Sequence, residues 1–538
     1  MTAMDDECEV IAPDGTPAGL LEAFWSYDRA LLGNDTRTLD ELFMPGPHTL
    51  RGDGLGLLVG HEAIAAFRSA RARIATRRVA QLHVQVIADD AALLMARTRD
   101  GDATGLQTQL WRLAGGRWVV AAAHVSLPVT PKPAAAAIAF DTTIWRVVGD
   151  PLVAARGRGP LDGVGVAVKD LFAVAGQPVG AGVAAWLAEQ RPQTASAPAV
   201  AALLEAGAHV VGIARTDEFA YSLAGTNAHY GTPPNPAAPR SISGGSTSGP
   251  ASAVALGQAA IGLGTDTAGS IRVPASYQGL VGLRTTHGAI STDGVLPLAR
   301  SFDTVGWVTR DVRMSAAIAR ILLGGGGDAS EGGDAGGVAV RRTVRLPAVE
   351  ALARTDVRDA LASGLERLTN AGKLPPAEVV DLPEDVLERW FLAFRTVQAW
   401  EAWQAHGAWI ADHPGALGPD VAGRFAMASE VREDQAAAAR EVVAAAGQQL
   451  REWLTGSVLV VPSASGPAPE RTATGEQVEA QRATTLRMTC LAGLAGAPAV
   501  SLPLLRCADG LPVGLCLLGA PGTDHGLLTL AAGLEIAA

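Results

Sequence analysis

A proline- and alanine-rich segment, SLPVTPKPAAAA at residues 126–137, divides this chain into two parts with different hydrophobic patterns. Closely spaced prolines cannot continue a helix or a central strand, so a run of this kind is typical of a linker. The 538 residues also exceed the usual length of one domain. We therefore predict a first domain at residues 1–127, a linker at 128–140 and a second domain at 141–538.

The first part has the pattern of an α+β domain. Residues 18–32 and 61–73 carry apolar side chains at helical spacing. Four strand-like runs follow, with turn sequences at Asp89-Asp90 and Gly115-Gly116; the runs are residues 81–87, 91–98, 105–113 and 117–125. Helices followed by an antiparallel meander predict a curled sheet wrapped around a helix, which we call the cone.

The second part alternates strands and helices with short, glycine-rich connections. This pattern predicts an α/β domain with a central sheet that helices flank on both faces. A long helical stretch at residues 357–454 is expected to form a cap or flank on that sheet, and residues 324–337 a surface loop or an insertion. The predicted strands are residues 163–169, 210–214, 260–264, 458–461 and 499–505, and the predicted helices include 197–206 and 250–257.

Charge and cysteine content exclude several classes of protein. The net charge of −11 provides no basic surface for nucleic acid, and no apolar run approaches the length of a membrane-spanning helix. The acidic start of the chain does not resemble a secretory signal. The four cysteines, Cys8, Cys490, Cys507 and Cys516, form no CxxC pair, so we expect reduced thiols rather than disulfides or a zinc site. A cytoplasmic location follows as an expectation.

Two serine-containing, glycine-rich loops and one lysine carry the residues suited to covalent catalysis. Ser246 lies in SGGSTSG at residues 243–249, Ser270 in GTDTAGSIR at 264–272, and Lys169 at the end of an apolar strand. A lysine in apolar surroundings loses hydration and can become a neutral base near pH 7. Two alternatives remain open here: the first loop could be a flexible turn or an anion-binding nest, and Lys169 could pair with Asp170.

The second part resembles the amidase signature family of serine amidohydrolases. The resemblance rests on GVGVAVKDLF, GGSTSGPASAVA and GTDTAGSIRVPASYQGLVGLRTTHG, in this order between residues 160 and 311. It implies hydrolysis of a C–N amide bond by a Ser-cisSer-Lys triad without a cofactor or metal. Ser270 would be the nucleophile, Ser246 the bridging serine after a cis peptide bond, and Lys169 the base.

The same resemblance implies roles for the residues around the triad. Backbone N–H groups of the turn would form the oxyanion hole, and other loop residues would support the turn. Pro250 and Ala268 depart from the small residue and the glycine that relatives usually carry there. The implied oxyanion-hole residues are Thr267, Ala268, Gly269 and Ser270, and the implied supporting residues are Gly245, Thr247, Ser248, Thr265, Asp266 and Arg272.

Substrate and reaction are less constrained by the sequence. Residues 227–233 and 301–307 are similar to the amidase group that includes plant indole-3-acetamide hydrolases, which implies a small amide of an aryl or hydrophobic acid. One alternative is hydrolysis of a ureido or carbamoyl compound. Another is a non-catalytic, amidase-like docking protein, although the presence of all three triad residues favours an enzyme. Transamidation is the weaker alternative, because amidotransferase subunits normally lack the N-terminal cone.

The first part resembles the AtzH-like branch of the nuclear-transport-factor-2-like (NTF2-like) superfamily, through FWSYDRALLGND, ELFMPGPHTLRGDG, VGHEAIAAFRSAR and WVVAAAHVSL. The resemblance implies a possible second site at Tyr27 and Arg51, acting on carboxylated ureas. In relatives this arginine is followed by an aromatic residue and then a glycine. This chain has Gly52 and Asp53 at those two positions. The alternative, which we favour, is an association domain that makes the protein a homo-oligomer, such as a dimer, through the open face of the sheet.

Overall fold

The computed structural model describes residues 8–53, 56–69, 77–100, 103–126, 140–324 and 340–535. The chain divides into two compact units, Met1–Ile138 and Ala139–Ala538. Most of the predicted linker, and the predicted loop at 324–337 apart from its first residue, lie outside the described residues. Within the described residues, no helix combines the length and apolarity that a membrane crossing requires.

The first unit is an α+β cone, as predicted. Its sheet has the strand order β1-β4-β5-β6-β7-β2-β3, in which β4 to β7 form the antiparallel meander. The strands β1 and β2 extend the meander by parallel pairing with β4 and β7, and were not predicted because they are so short. The elements are β1 (Glu9–Ile11), α1 (Leu20–Leu32), α2 (Thr36–Glu41), β2 (Leu50–Asp53), β3 (Gly56–Val59), α3 (His61–Ser69), β4 (Arg78–Ala88), β5 (Ala91–Asp100), β6 (Ala103–Ala114) and β7 (Arg117–Val125).

The second unit is an α/β domain built on one mixed sheet. Its described elements are β8 (Trp145–Val153), β9 (Gly165–Lys169), α4 (Ala184–Glu189), α5 (Pro198–Glu205), β10 (His209–Ala214), α6 (Ser248–Ala255), β11 (Ile261–Thr265), α7 (Arg272–Gln278), β12 (Val281–Arg284), β13 (Val305–Thr309), α8 (Val312–Leu322), β14 (Arg342–Arg345), α9 (Pro347–Glu350), α10 (Thr355–Asn370), β15 (Ala377–Val379), α11 (Glu384–Asp412), α12 (Pro419–Ser429), α13 (Glu433–Leu454), β16 (Ser457–Pro462), α14 (Gly475–Ala495), β17 (Ala499–Arg506), β18 (Pro512–Leu518) and α15 (Asp524–Glu535). The strand order is β15-β14-β16-β18-β17-β12-β13-β11-β9-β10-β8. The predicted helical stretch is confirmed as α10 to α13.

Three adjacent strands of this sheet position the predicted catalytic residues. Strand β9 lies between β10 and β11 and is parallel to both, so the carboxyl ends of the three strands meet at one edge. Lys169 ends β9 and Thr265 ends β11. Each of these two strands is followed by a loop, while helices α6 and α7 begin next to the same edge. In open α/β sheets, ligands bind at the carboxyl ends of the strands.

Candidate active site

Lys169 is wholly buried at the end of β9, and its amine is surrounded by hydroxyl groups. Its Nζ lies 2.8 Å from Ser246 Oγ, 2.9 Å from Thr265 Oγ1 and 3.2 Å from Thr247 Oγ1. The alternative of an ion pair with Asp170 is wrong, because that carboxylate accepts a hydrogen bond from Arg146 Nε at 3.0 Å. Lys169 therefore points at the serine loop, and no carboxylate in the described part of the chain forms an ion pair with it.

The surroundings of Lys169 favour its neutral form. Burial lowers its pKa from the ordinary lysine value to about 7, because the ammonium has lost its hydration. Three carboxylates, Asp217, Asp266 and Asp303, act in the opposite direction and offset part of this effect. A lysine with a pKa near neutrality can accept and return a proton at physiological pH.

The loop that carries Ser246 is fixed by the backbone and by Asp217. The Gly245–Ser246 peptide bond is cis, as the family resemblance implies. A Cβ atom at Gly245 would collide with the Asp217 carboxylate and with the backbone nitrogen of Gly225, so only glycine fits here. Ser248 donates a hydrogen bond to Asp217 Oδ1 at 3.3 Å. Asp217, which was not predicted, thus holds this loop through Ser248.

Ser270 lies against the Ser246 loop. The N–H of Thr247 donates to the carbonyl oxygen of Ser270 at 3.1 Å, which joins the two glycine-rich loops directly after Ser246. Ser270 is 3% exposed and lines a narrow crevice. The structure therefore places Lys169 in direct contact with Ser246, and joins Ser270 through its carbonyl oxygen to the residue that follows Ser246.

Asp266 organises the turn before Ser270. Its carboxylate accepts hydrogen bonds from the N–H of Gly269 at 2.8 Å and of Ile271 at 3.2 Å, and from both Nε and Nη2 of Arg272. Burial alone would raise the pKa of Asp266, but the guanidiniums of Arg272 and Arg284 hold it well below its usual range. Arg284 was not predicted, although it lies inside the motif sequence that follows the turn.

These contacts correct one member of the predicted oxyanion hole. The N–H of Gly269 is already donated to Asp266, so it is not free to meet a substrate oxygen. The N–H groups of Thr267, Ala268 and Ser270 donate to no group among the described residues. Thr489 donates its hydroxyl to the carbonyl oxygen of Ala268 and so helps to hold the turn.

The two departures from the family pattern fit the local structure. Pro250 is the third residue of α6, where a backbone N–H has no partner within the helix, so proline is tolerated. Ala268 keeps its N–H, and the Thr267 side chain next to it donates to Asp303 Oδ1 at 2.6 Å. Neither residue removes a donor from the turn.

Replacing Asp266 with asparagine is expected to destabilise the second unit by about 3–5 kcal/mol, because Arg272 and Arg284 would lose their shared buried counterion. The midpoint of urea unfolding, followed by circular dichroism, measures this loss. Asp293→Asn is the matched control, since Asp293 is exposed in a turn. Equal midpoints for the two variants would contradict this account of Asp266.

A crevice leads from Ser270 toward the surface. Next to the serine it is narrow, with a volume of about 20 Å³, and is bordered by Ala220, Leu223, Leu298 and Leu486. A wider cavity of about 270 Å³ adjoins it. Tyr221, Gln398, Arg482 and Leu486 line both parts.

The predicted second site lies inside the cone. Tyr27 is buried between the rings of Phe43 and Trp111, at centroid distances of 6.1 and 6.3 Å. Arg51 is paired with Asp53 at 2.8 Å and stacks over Phe67. The departure at Asp53 therefore neutralises the arginine that the resemblance implicates.

Other polar groups in the cone have unpaired N–H donors. Arg77 pairs with Asp28 at 2.9 Å and donates to Gln107 at 2.8 Å. Buried donors without a partner among the described residues are Arg68 Nη2, Arg77 Nη1, Gln107 Nε2 and Gln109 Nε2. A catalytic role for Tyr27 and Arg51, and association through the sheet, both stay predictions.

Comparisons with known proteins agree with both predicted resemblances. A family model described as Amidase matches residues 148–331 and 421–528, and one described as AtzH-like matches residues 10–130. Amidase 1 of Arabidopsis thaliana is 34% identical over 73% of this chain and 97% of its own length. The 2-amino-5-chloromuconic acid deaminase of Comamonas testosteroni is 34% identical over 70% of this chain and 82% of its own. A crystal structure of an amidase superposes with a TM-score of 0.62, at 33% identity over 71% of this chain and 86% of that one.

Proposed function

Because this chain belongs to the amidase family of carbon–nitrogen hydrolases, with an AtzH-like domain before the amidase domain, we propose that Lys169, Ser246 and Ser270 are its catalytic triad. The observation that carries the proposal is the 2.8 Å contact between the buried amine of Lys169 and Ser246 Oγ. A buried lysine with a pKa of about 7 is the base that such a triad requires.

The proposed reaction forms and breaks an acyl-enzyme. Neutral Lys169 takes the proton of Ser246, which takes the proton of Ser270 as Ser270 Oγ forms a bond to the amide carbon. Ser246 then donates a proton to the nitrogen as the C–N bond breaks, Lys169 returns its proton to Ser246, and ammonia or an amine leaves. Water attacks the ester as Ser246 and Lys169 accept its proton, and the relay then returns a proton to Ser270 Oγ as the C–O bond breaks, which releases the acid and restores Ser270.

The oxyanion of each tetrahedral intermediate would be met by backbone N–H groups. We assign this role to Thr267, Ala268 and Ser270, whose N–H groups are not engaged by the described residues. Asp266 holds the turn in place through Gly269 and Arg272, so the donors need little reorganisation during the reaction. One such donor is typically worth about 3 kcal/mol of transition-state stabilisation.

We propose a small amide of an aryl or hydrophobic acid as the substrate. The apolar side chains beside Ser270 support this, because an alkyl or aryl group fits the crevice better than a strongly hydrated one. Ammonia release by the purified protein, measured across aryl, alkyl and ureido amides, tests the proposal. Turnover of an amide that is lost in Ser270→Ala supports it; no turnover of any of these amides contradicts it.

The dependence of activity on pH should report the neutral form of Lys169. Because only the unprotonated amine accepts a proton, kcat/KM is expected to rise with pH through an apparent pKa of about 7 and then level off. An ordinary lysine would give a limb near about 10.4. Initial rates across the pH range, at constant ionic strength, measure the limb. A rise that continues into the range of free lysine would show that Lys169 is not a desolvated base.

A further inference from the structure

The wider cavity outside the crevice is lined by three arginines, Arg395, Arg424 and Arg482. Its other described lining residues are apolar or uncharged, and none is acidic. The chain as a whole carries a net charge of −11, so this basic lining does not follow from its composition. A local excess of positive charge in a cavity that leads to Ser270 attracts an anionic group.

The charge of these arginines is only partly neutralised. Arg424 and Arg482 share a single carboxylate, that of Glu479, at 2.9 and 2.7 Å. The charge of Asp420 acts on Arg424 more weakly than that of Glu479 does. Arg395 is exposed on α11 and has no charged partner among the described residues. The cavity therefore keeps unpaired guanidinium charge.

Positive charge increases from the crevice beside Ser270 to the wider cavity. Arg395 and Arg424 line only the wider cavity, whereas Arg482 also borders the narrow crevice, whose other lining side chains are uncharged. A ligand that fits both parts has an uncharged amide end inside, an apolar body, and a negative group outside. Guanidinium groups bind carboxylates through charge-assisted and often bidentate hydrogen bonds.

We propose that the amide cleaved at Ser270 is one whose acid part bears a second, anionic group, a monoamide of a dicarboxylic acid, and that Arg395 and Arg482 bind this group in the outer cavity. The inference rests on the proposed amide hydrolysis; it keeps an apolar body beside Ser270 and adds an anionic group at the far end of the acid part. Arg395 and Arg482 are specificity-determining residues in this account and take no part in bond making.

The test compares matched substrates. Monoamides of butanedioic, hexanedioic and octanedioic acids are each paired with the linear amide of the same carbon number, in which a methyl group replaces the carboxylate. For the monoamide whose length fits best, kcat/KM is expected to exceed that of its neutral partner by about tenfold or more. The reason is that hydrogen bonds to charged groups are stronger than hydrogen bonds between neutral groups. The ratio should fall as salt is added, because part of this charge is exposed.

Two variants identify the residue responsible. Arg395→Gln should lower the anionic-to-neutral ratio about tenfold, and Arg395→Lys should restore part of it. Arg395 is preferred to Arg482 because its replacement breaks no ion pair. Arg389→Gln is the control, because Arg389 is exposed on the same helix and does not line the cavity. The control should keep the wild-type ratio.

The outcomes separate this inference from the function on which it rests. Hydrolysis of neutral and anionic amides at equal kcat/KM, or a fall in both by the same factor in Arg395→Gln, would overturn the anionic-substrate proposal and leave amide hydrolysis intact. Titration calorimetry of the same monoamides with Ser270→Ala protein gives a readout that needs no turnover. Weaker binding of the monoamides to the double variant Ser270→Ala/Arg395→Gln than to Ser270→Ala supports the site. Equal binding of neutral and anionic amides to Ser270→Ala overturns it.

Discussion

Ser270→Ala is expected to abolish amide hydrolysis, with a loss of kcat of at least about 10⁴-fold, because the missing atom is the one that forms the acyl-enzyme. The fold should be unaffected. The Ser270 hydroxyl makes no hydrogen bond with the described residues, so its removal leaves no buried group unpaired. Ammonia release and the urea midpoint, measured on the same preparation, give both results.

Covalent labelling completes this test. A fluorophosphonate or sulfonyl fluoride should modify Ser270 in the wild-type protein and leave Ser270→Ala unmodified, as read by peptide mass spectrometry. Ser363→Ala is the control, because Ser363 is exposed on α10. Labelling at another serine, or turnover that survives in Ser270→Ala, would mean that Ser270 is not the nucleophile.

Lys169→Ala and Ser246→Ala are each expected to lower kcat by several orders of magnitude, because a proton must pass through both residues to leave Ser270. Their effects should not multiply. Once one member of the relay is missing, removing the other costs little more, as is usual for residues that act as a unit. The double variant should therefore be about as slow as the slower single variant.

The Lys169 position needs a second replacement. Alanine leaves a space among three hydroxyls that the amine now contacts, whereas Lys169→Met keeps most of the volume. Comparable loss of activity in both variants, with the urea midpoint retained in Lys169→Met, assigns the effect to the amine. A double variant slower by the product of the single effects would contradict the relay.

The sequence predicted those parts of the fold that local patterns determine. Long strands with a period of two, such as β4 to β7, and helices closed by glycine were found within a few residues of their bounds. The short strands β1 to β3 were missed because three or four residues carry no recognisable period. Strand β8 was missed because it follows the linker directly and pairs with β10, about sixty residues later.

The residues of the candidate site likewise include some that the sequence predicts and some that it does not. Lys169, Ser246 and Ser270 lie in motifs that a reader of the sequence can recognise. Two residues that hold the loops of the site do not: Asp217 contacts Ser248 from 31 positions away, and Thr489 contacts Ala268 from 221 positions away. Such pairs exist only because the sheet brings distant segments together. The occupied N–H of Gly269 was missed for a different reason: Asp266 is only three residues away, but the turn conformation that directs its carboxylate at this N–H leaves no pattern in the sequence.

The place of β17 and β18 in the sheet has a consequence for biosynthesis. Among the described strands of this sheet they are the last to leave the ribosome, yet they lie in the interior, between β16 and β12. Until the hairpin of β17 and β18 inserts, the nascent chain holds two partial sheets, each with an unpaired apolar edge of the kind that aggregates. We expect that a stop codon before residue 499 gives insoluble protein, and that the domain completes its fold only after nearly all of it has been translated.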